Sequence, residues 1–112
     1  MKIKEVARII DAKISAGEEL LETEVNSAFS SDMMSDVLAF SKDQPVLLTG
    51  LNNPQAIRTA LMMDMECVVF VRGKSPTPEM INLAEQSQIA LLSTSLTMFE
   101  ASGRLYEAGL HR

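Results

Sequence analysis

Hydrophobic positions are most concentrated in the middle of the chain, where residues 67–71 read Cys-Val-Val-Phe-Val and are followed by Arg72 and Gly73. A strand that exposes one face to water alternates apolar and polar residues, but this run is apolar on both alternating faces. A buried helical segment is the alternative, and the short length, the β-branched residues and the Arg-Gly stop favour a strand. The run therefore predicts a strand covered on both sides, of the kind found at the centre of an α/β sheet.

The amino-terminal part of the chain predicts one helix and two shorter strands. Apolar residues at positions 3, 6, 7 and 10 follow the spacing of one helical face. Residues 13–15 predict a brief strand, and residues 25–29 alternate in the way of a strand with one exposed face. Between them, residues 18–24 form an acidic surface segment with Leu20 and Leu21 as its only apolar anchors.

A second helix is predicted after this strand. Three residues at its start have side-chain oxygens that can accept hydrogen bonds from free N–H groups, namely Ser30, Ser31 and Asp32. Helical spacing then turns Met33, Val37 and Phe40 towards the interior, and the pattern stops near residues 41–43.

From residue 45 onwards, strands and helices alternate. The predicted pieces are a strand at 46–49 closed by Gly50, a helix from Asn53-Pro54, the strand at 67–71, a helix from Thr77-Pro78, a strand at 89–92, a helix opened by the capping box at 97–100 and ended at Gly109, and a loose tail at 110–112. This order is typical of parallel strand–helix–strand units. We therefore predict one α/β domain over residues 1–112, with a mostly parallel sheet of four to five strands and helices on both faces.

Composition narrows the classes of function. The 112 residues fit one domain, and the net charge of −5 with no basic run argues against nucleic-acid binding. We also expect no membrane span and no signal peptide, hence a cytoplasmic protein. Cys67 is the only cysteine, which rules out an intramolecular disulfide and suits a small buried side chain.

Small polar and charged residues follow each predicted parallel strand. In an open α/β sheet the carboxyl ends of the strands meet at one edge, and ligands bind there. This edge predicts a site for a small anionic or nucleotide-like ligand, formed by Ser31, Asp32, Thr49, Gly50, Asn52, Arg72, Gly73, Thr94 and Ser95. The alternative is that these residues only cap helices and form turns, because such positions select the same residue types.

The sequence shows no set of catalytic residues. Residues 73–75 read Gly-Lys-Ser but lack the upstream glycine of a phosphate-binding loop, and His111 lies next to the end of the chain. One cysteine and one histidine do not make a zinc site, so we predict no metal and no cofactor. A small enzyme or phosphate-handling protein that uses Asp32, Thr49 and Arg72 is the alternative function.

The last predicted helix is the candidate interaction surface. Phe99, Leu105 and Tyr106 spread around the helix instead of forming one narrow stripe. Apolar residues on a second face predict a homodimer in which these three residues form the interface. An adaptor that binds another polypeptide through the same helix is a further alternative.

Several segments resemble the DRTGG domain family over nearly the whole chain. They are the opening residues 1–7, residues 31–38, residues 47–50, and residues 89–110, which carry most of the match. Asp32 stands where the family has Asp, and Thr49-Gly50 where it has Thr-Gly, whereas Met33 and Leu51 replace the family's Arg and second Gly. If that Arg and Gly serve an anionic ligand, their replacement weakens binding.

The resemblance implies a regulatory or dimerising module. Such domains accompany CBS pairs in regulated pyrophosphatases, and the fold is similar to the N-terminal domain of HPr kinase/phosphorylase. Together with the residues above, it predicts a non-enzymatic homodimer that senses a small ligand, with the ligand and the partner enzyme left unidentified.

Overall fold

A five-stranded sheet forms the centre of the computed structural model, which describes residues 1–111. The elements in chain order are α1 (Ile3–Ile9), β1 (Lys13–Ala16), a 3-10 turn (Glu18–Leu20), β2 (Ala28–Ser30), α2 (Met34–Phe40), β3 (Val46–Thr49), α3 (Pro54–Met62), β4 (Cys67–Phe70), α4 (Pro78–Ser87), β5 (Ala90–Ser93) and α5 (Met98–Glu107).

The strands lie in the order β1-β5-β4-β3-β2. Strands β2 to β5 are parallel, and β1 adds to β5 in the antiparallel direction. The central strand is β4, in which Val68 lies opposite Leu47 on one side and Leu91 on the other. The prediction of a mostly parallel sheet with the 67–71 run at its centre is confirmed.

Two apolar cores cover the two faces of the sheet. Alternate side chains of a strand point to opposite faces, so the fully apolar strands contribute to both cores. Helices α1 and α5 pack on one face, where Val69 is fully buried, and α2, α3 and α4 pack on the other, where Phe70 is fully buried. Helices on both faces were predicted, and this is confirmed.

The three later helices begin at the residues that the sequence predicts. Each predicted cap accepts a hydrogen bond from a backbone N–H inside its helix: Asn53 from Gln55 at 2.7 Å, Thr77 from Met80 at 3.2 Å and Thr97 from Glu100 at 3.2 Å. These bonds satisfy amides that the helix itself leaves free, which fixes where the chain turns away from the sheet.

The prediction of which α2 residues face the interior was wrong for two of the three residues. Met33 and Phe40 are 60% and 65% exposed, whereas Met34 and Val37 are buried. The inward stripe continues to Ser41, whose hydroxyl donates to the Val37 carbonyl at 2.7 Å and is thereby satisfied inside the protein. The predicted caps were also wrong, because the residue before α2 is Met33 and no side chain caps the helix.

Two further predictions need correction. The strand expected at 25–29 is limited to Ala28–Ser30, because Val25 donates to the Met1 carbonyl at 2.7 Å and packs in a core instead. The expected loose tail is held at Leu110, which is buried and donates to the Leu105 carbonyl at 2.9 Å. Arg112, the last residue of that predicted tail, lies outside the described residues.

The helices of residues 1–111 are short, and none of them is long and apolar enough to cross a membrane.

Candidate functional site

The loops that follow the parallel strands are bonded to one another at the carboxyl edge of the sheet. The N–H groups of Arg72 and Gly73 donate to the carbonyls of Leu96 and Thr94, at 2.8 and 2.9 Å. Both Arg72 (φ 60°) and Gly73 (φ 73°) are in the left-handed region, which is uncommon for a residue with a side chain. The loop after β4 is thus fixed to the loop after β5.

Asp32 joins two of these loops through its carboxylate. One oxygen, Oδ1, accepts a hydrogen bond from the N–H of Gly50 at 2.6 Å. The other, Oδ2, lies 3.5 Å from Nη2 of Arg72. Three residues that follow three different strands therefore meet at one point, and we call this group the Asp32–Gly50–Arg72 cluster.

The guanidinium of Arg72 lies directly against the backbone of Gly50. A Cβ atom at position 50 would come within 2.0 Å of Nη2 and 2.5 Å of Cζ of Arg72. Only a residue without a side chain permits this approach, which explains the glycine in physical terms. The guanidinium thus sits beside the Gly50 N–H, so two donors of different kinds are close together.

The cluster is open to water. The side chains of Arg72 and Asp32 are 43% and 48% exposed. An ion pair in such a position contributes only about 0–1 kcal/mol to stability, because water competes for both charges. A guanidinium has five N–H donors, and Asp32 is its only ion-pair partner among residues 1–111. The guanidinium therefore keeps N–H donors that a group in solution can reach.

Not all residues of the predicted edge belong to this open cluster. Thr49 is fully buried, and its hydroxyl oxygen accepts from the Leu51 N–H at 3.1 Å. Thr94 is also buried, and its hydroxyl donates to the Ile10 carbonyl at 2.7 Å. These two hydroxyls hold the loops and are not accessible to a ligand.

The remaining predicted residues lie around the cluster. Ser31 is half-buried, and its hydroxyl oxygen accepts from the Met33 N–H at 3.0 Å. Asn52, Gly73 and Ser95 are exposed. The structure thus brings Asp32, Gly50 and Arg72 into contact, and leaves the other polar residues as loop supports or surface neighbours.

A cavity of about 510 Å³ lies near the opposite, amino end of the strands. Its lining is not apparent from the sequence, since isolated acidic residues are typical of ordinary surface positions. Four carboxylate side chains line it among the described residues: Glu24, Asp43, Asp64 and Glu66. The Met1 ammonium group also lines the cavity, 3.3 Å from Glu24 Oε1, but the carboxylates outnumber it, which disfavours an anionic ligand here relative to the carboxyl edge.

The predicted interface on α5 divides into a surface part and a core part. Phe99 and Tyr106 are 87% and 65% exposed, and a spacing of seven residues puts them on one side of the helix. Leu105 is only 2% exposed and packs in the core, so its assignment to an interface was wrong. The hydroxyls of Ser102 and Ser30 are 2.8 Å apart, which places this side of α5 next to β2.

Residues 5–108 match the DRTGG domain family. The chain belongs to the DRTGG domain family. This confirms the resemblance that the strand ends and the last helix suggested. Among curated proteins, none matches the chain.

A solved structure shares the fold of this DRTGG domain. It contains the CBS and DRTGG domains of the regulatory region of Clostridium perfringens pyrophosphatase, complexed with the activator diadenosine tetraphosphate. The two chains are 15% identical, with a TM-score of 0.73 over 93% of this chain. The match spans 45% of the clostridial chain, so this chain corresponds to less than half of that regulatory region.

Proposed function

We propose that residues 1–112 form one regulatory module, which binds a small anionic, nucleotide-like ligand at the carboxyl edge of its sheet and associates as a homodimer. One observation carries the ligand part: the Arg72 guanidinium lies against Gly50, beside that residue's backbone N–H.

This pair of donors suits a phosphate group. Charged guanidinium groups bind phosphate oxygens strongly and directionally, and backbone N–H groups at a loop add neutral donors. The loop that carries Arg72 is held by two backbone hydrogen bonds, so little order has to be gained when a ligand binds.

Family membership supports a nucleotide-like ligand. The regulatory region of the clostridial pyrophosphatase was crystallised with an activator that carries four phosphates between two nucleosides. A ligand of that class offers several oxyanions to a guanidinium and a backbone amide.

The buried hydroxyls support regulation over catalysis. The enzymatic alternative needs Thr49 together with Asp32 and Arg72, but the Thr49 side chain is fully buried and bonded to the backbone. Asp32 is engaged by a backbone amide and by Arg72, which suits a residue that responds to a ligand better than one that transfers a proton.

The ligand part is tested by a thermal-shift screen with pyrophosphate, ATP and dinucleoside polyphosphates. A ligand that binds the native state raises the melting temperature by mass action. We expect a shift in the wild type, none in Arg72→Gln, and a retained shift in Lys74→Gln, which removes one positive charge from an exposed neighbour. Equal shifts in Arg72→Gln and the wild type would refute the assignment of Arg72.

The exposed side of α5 supports the dimer part. Two aromatic side chains, 87% and 65% exposed, lie together on the side of α5 next to the edge strand β2, where they can form part of one apolar contact surface. An adaptor role for the same surface predicts a different polypeptide in place of a second copy.

A further inference from the structure

The carboxylate of Asp32 occupies the Gly50 N–H and lies beside the guanidinium that the proposed ligand needs. Its Oδ1 accepts from the Gly50 N–H at 2.6 Å, and its Oδ2 lies 3.5 Å from Arg72 Nη2. A carboxylate and a phosphate compete for the same donors, since both present anionic oxygens with similar hydrogen-bonding geometry. Resting on the function proposed above, we infer that Asp32 is an intramolecular competitor, and that a ligand oxyanion displaces its carboxylate when it binds.

The exchange is physically accessible because Asp32 is not locked in place. The side chain is 48% exposed, and water can solvate the carboxylate as soon as it leaves Gly50. The donors it leaves behind are then taken by the ligand, so no backbone N–H is left unpaired. Binding is therefore an exchange of one anion for another.

Displacement of Asp32 affects the start of α2. Asp32 directly precedes Met33, the residue before α2, and no side chain caps this helix. The contact that Asp32 makes with Gly50 is thus a direct tie between the segment leading into α2 and the loop after β3. Release of this tie changes the surroundings of Met33, Leu38 and Phe40, which are 44% to 65% exposed on or beside α2.

The module then has a surface that responds to the ligand as well as a site that binds it. The ligand binds at the sheet edge, and the consequence appears on the exposed apolar side chains of α2. Such coupling requires only that the ligand favours the state with Asp32 released, because an equilibrium shifts by the difference in affinity for its two states.

A positioning role for Asp32 makes the opposite prediction. If the carboxylate served to hold Arg72 in place for the ligand, its removal would weaken binding. A competitor, by contrast, lowers the observed affinity for as long as it is present. The direction of the change in affinity therefore distinguishes the two roles.

The experiment compares the affinities of wild type, Asp32→Asn and Asp36→Asn for pyrophosphate and ATP by calorimetry. Asparagine keeps the shape and the oxygen that accepts from Gly50, but removes the competing charge. We expect Asp32→Asn to bind roughly tenfold tighter than the wild type, the effect of one charged hydrogen bond. Asp36→Asn removes the same charge from the first turn of α2 and is expected to change the affinity less than about twofold.

A second readout follows the exchange in the wild type itself. In amide NMR spectra, pyrophosphate is expected to shift the signals of Gly50, Met33 and Leu38 together. In Asp32→Ala without ligand, which has no side-chain oxygen to accept from the Gly50 N–H, the Met33 and Leu38 signals are expected to lie close to their ligand-bound positions. Shifts confined to Gly50 and the loop of Arg72 would overturn the coupling.

The two proposals fail in different ways. If the wild type binds in a manner that depends on Arg72, and Asp32→Asn binds equally or more weakly, the competitor role is refuted and the ligand site stands. If neither protein binds any of these phosphates at millimolar concentration, the site itself is refuted, and the competitor role with it.

Discussion

At the scale of single residues, Gly50 and Arg72 define the candidate site by their close approach. The guanidinium occupies the space that a Cβ atom at position 50 would take. The clash in a variant would involve the end of a flexible side chain, so the guanidinium can move away while the backbone stays. The glycine therefore governs the position of the charge more than the stability of the fold.

Gly50→Ala tests this role. We expect the free energy of unfolding to change by less than about 1 kcal/mol, since only an exposed ion pair is lost. We expect stabilisation by pyrophosphate or ATP to disappear, because the guanidinium no longer lies beside the backbone N–H. Urea unfolding with and without these compounds measures both effects.

The matched control is Gly103→Ala in α5, where a Cβ atom would meet no neighbour within 4 Å. There alanine is expected to stabilise the helix by roughly 0.5–1 kcal/mol and to leave ligand binding unchanged. Wild-type binding in Gly50→Ala would show that the position of the guanidinium is not required.

The sequence predicts which residues share the carboxyl edge of the sheet but not the contacts that they make. Asp32, Gly50 and Arg72 follow three strands, and the rule for parallel sheets predicts that they share an edge. The inward turn of Thr94 was not predictable, because its partner is the carbonyl of Ile10, 84 residues away. Local residue types give no information about such a distant backbone acceptor.

At the scale of elements, prediction succeeded where both faces of an element are buried. Strands β3, β4 and β5 are apolar on both faces, so a small error in their limits changes little. Helix α2 was less defined, because Met33 and Met34 are adjacent and either can begin an apolar stripe. The stripe that formed ends at Ser41, a polar residue satisfied by a backbone carbonyl, and spacing of apolar residues does not reveal such a position.

The acidic segment after β1 is tied to the start of α1 by Glu22. Its two carboxylate oxygens lie 2.8 Å from Lys2 Nζ and 2.7 Å from Lys4 Nζ. These two hydrogen bonds lower the pKa of Glu22 from its ordinary value of 4.5 to about 2. Because the folded-state pKa is depressed, the stabilisation is present above the ordinary value and is lost as the pH falls towards 2.

Glu22→Gln is therefore expected to be less stable than the wild type at neutral pH. The difference in the free energy of unfolding should shrink as the pH falls from about 5 to about 2 and should be small throughout, because the pair is exposed. Urea unfolding across this range measures it, with Glu19→Gln in the exposed 3-10 turn as control. A difference that stays constant with pH would contradict the assignment.

At the scale of the whole molecule, the exposed aromatic residues of α5 define the expected dimer. The chain exposes 5878 Å² in total, and an interface of standard size takes roughly 800 Å² from each partner, about one seventh of that surface. Phe99 and Tyr106 lie on one side of α5, beside the edge strand β2, so both can enter a single interface of this size.

We expect the wild type to be a dimer at tens of micromolar in sedimentation velocity, an ordinary concentration for an interface of this size. The double variant Phe99→Ser, Tyr106→Ser should dissociate, because the apolar centre of the interface is lost. Met62→Ser is the control, since Met62 is 68% exposed on α3, on the opposite face of the sheet. A monomeric wild type, or an equal loss of dimer in the control, would contradict this surface.

The carboxylate-lined cavity and Arg72 lie at opposite ends of the strands, so charge is unevenly distributed over the surface of the domain. At physiological ionic strength a charge is screened within about 8 Å, far less than the 33 Å length of the domain, so an arriving nucleotide responds only to the end it meets. In dilute buffer the screening length rises to about 30 Å. The carboxylates of the cavity and the net charge of −5 then repel an anion on every side of the domain. Added salt should therefore speed the encounter with an anion, the reverse of the usual behaviour of phosphate-binding proteins with a positive surface.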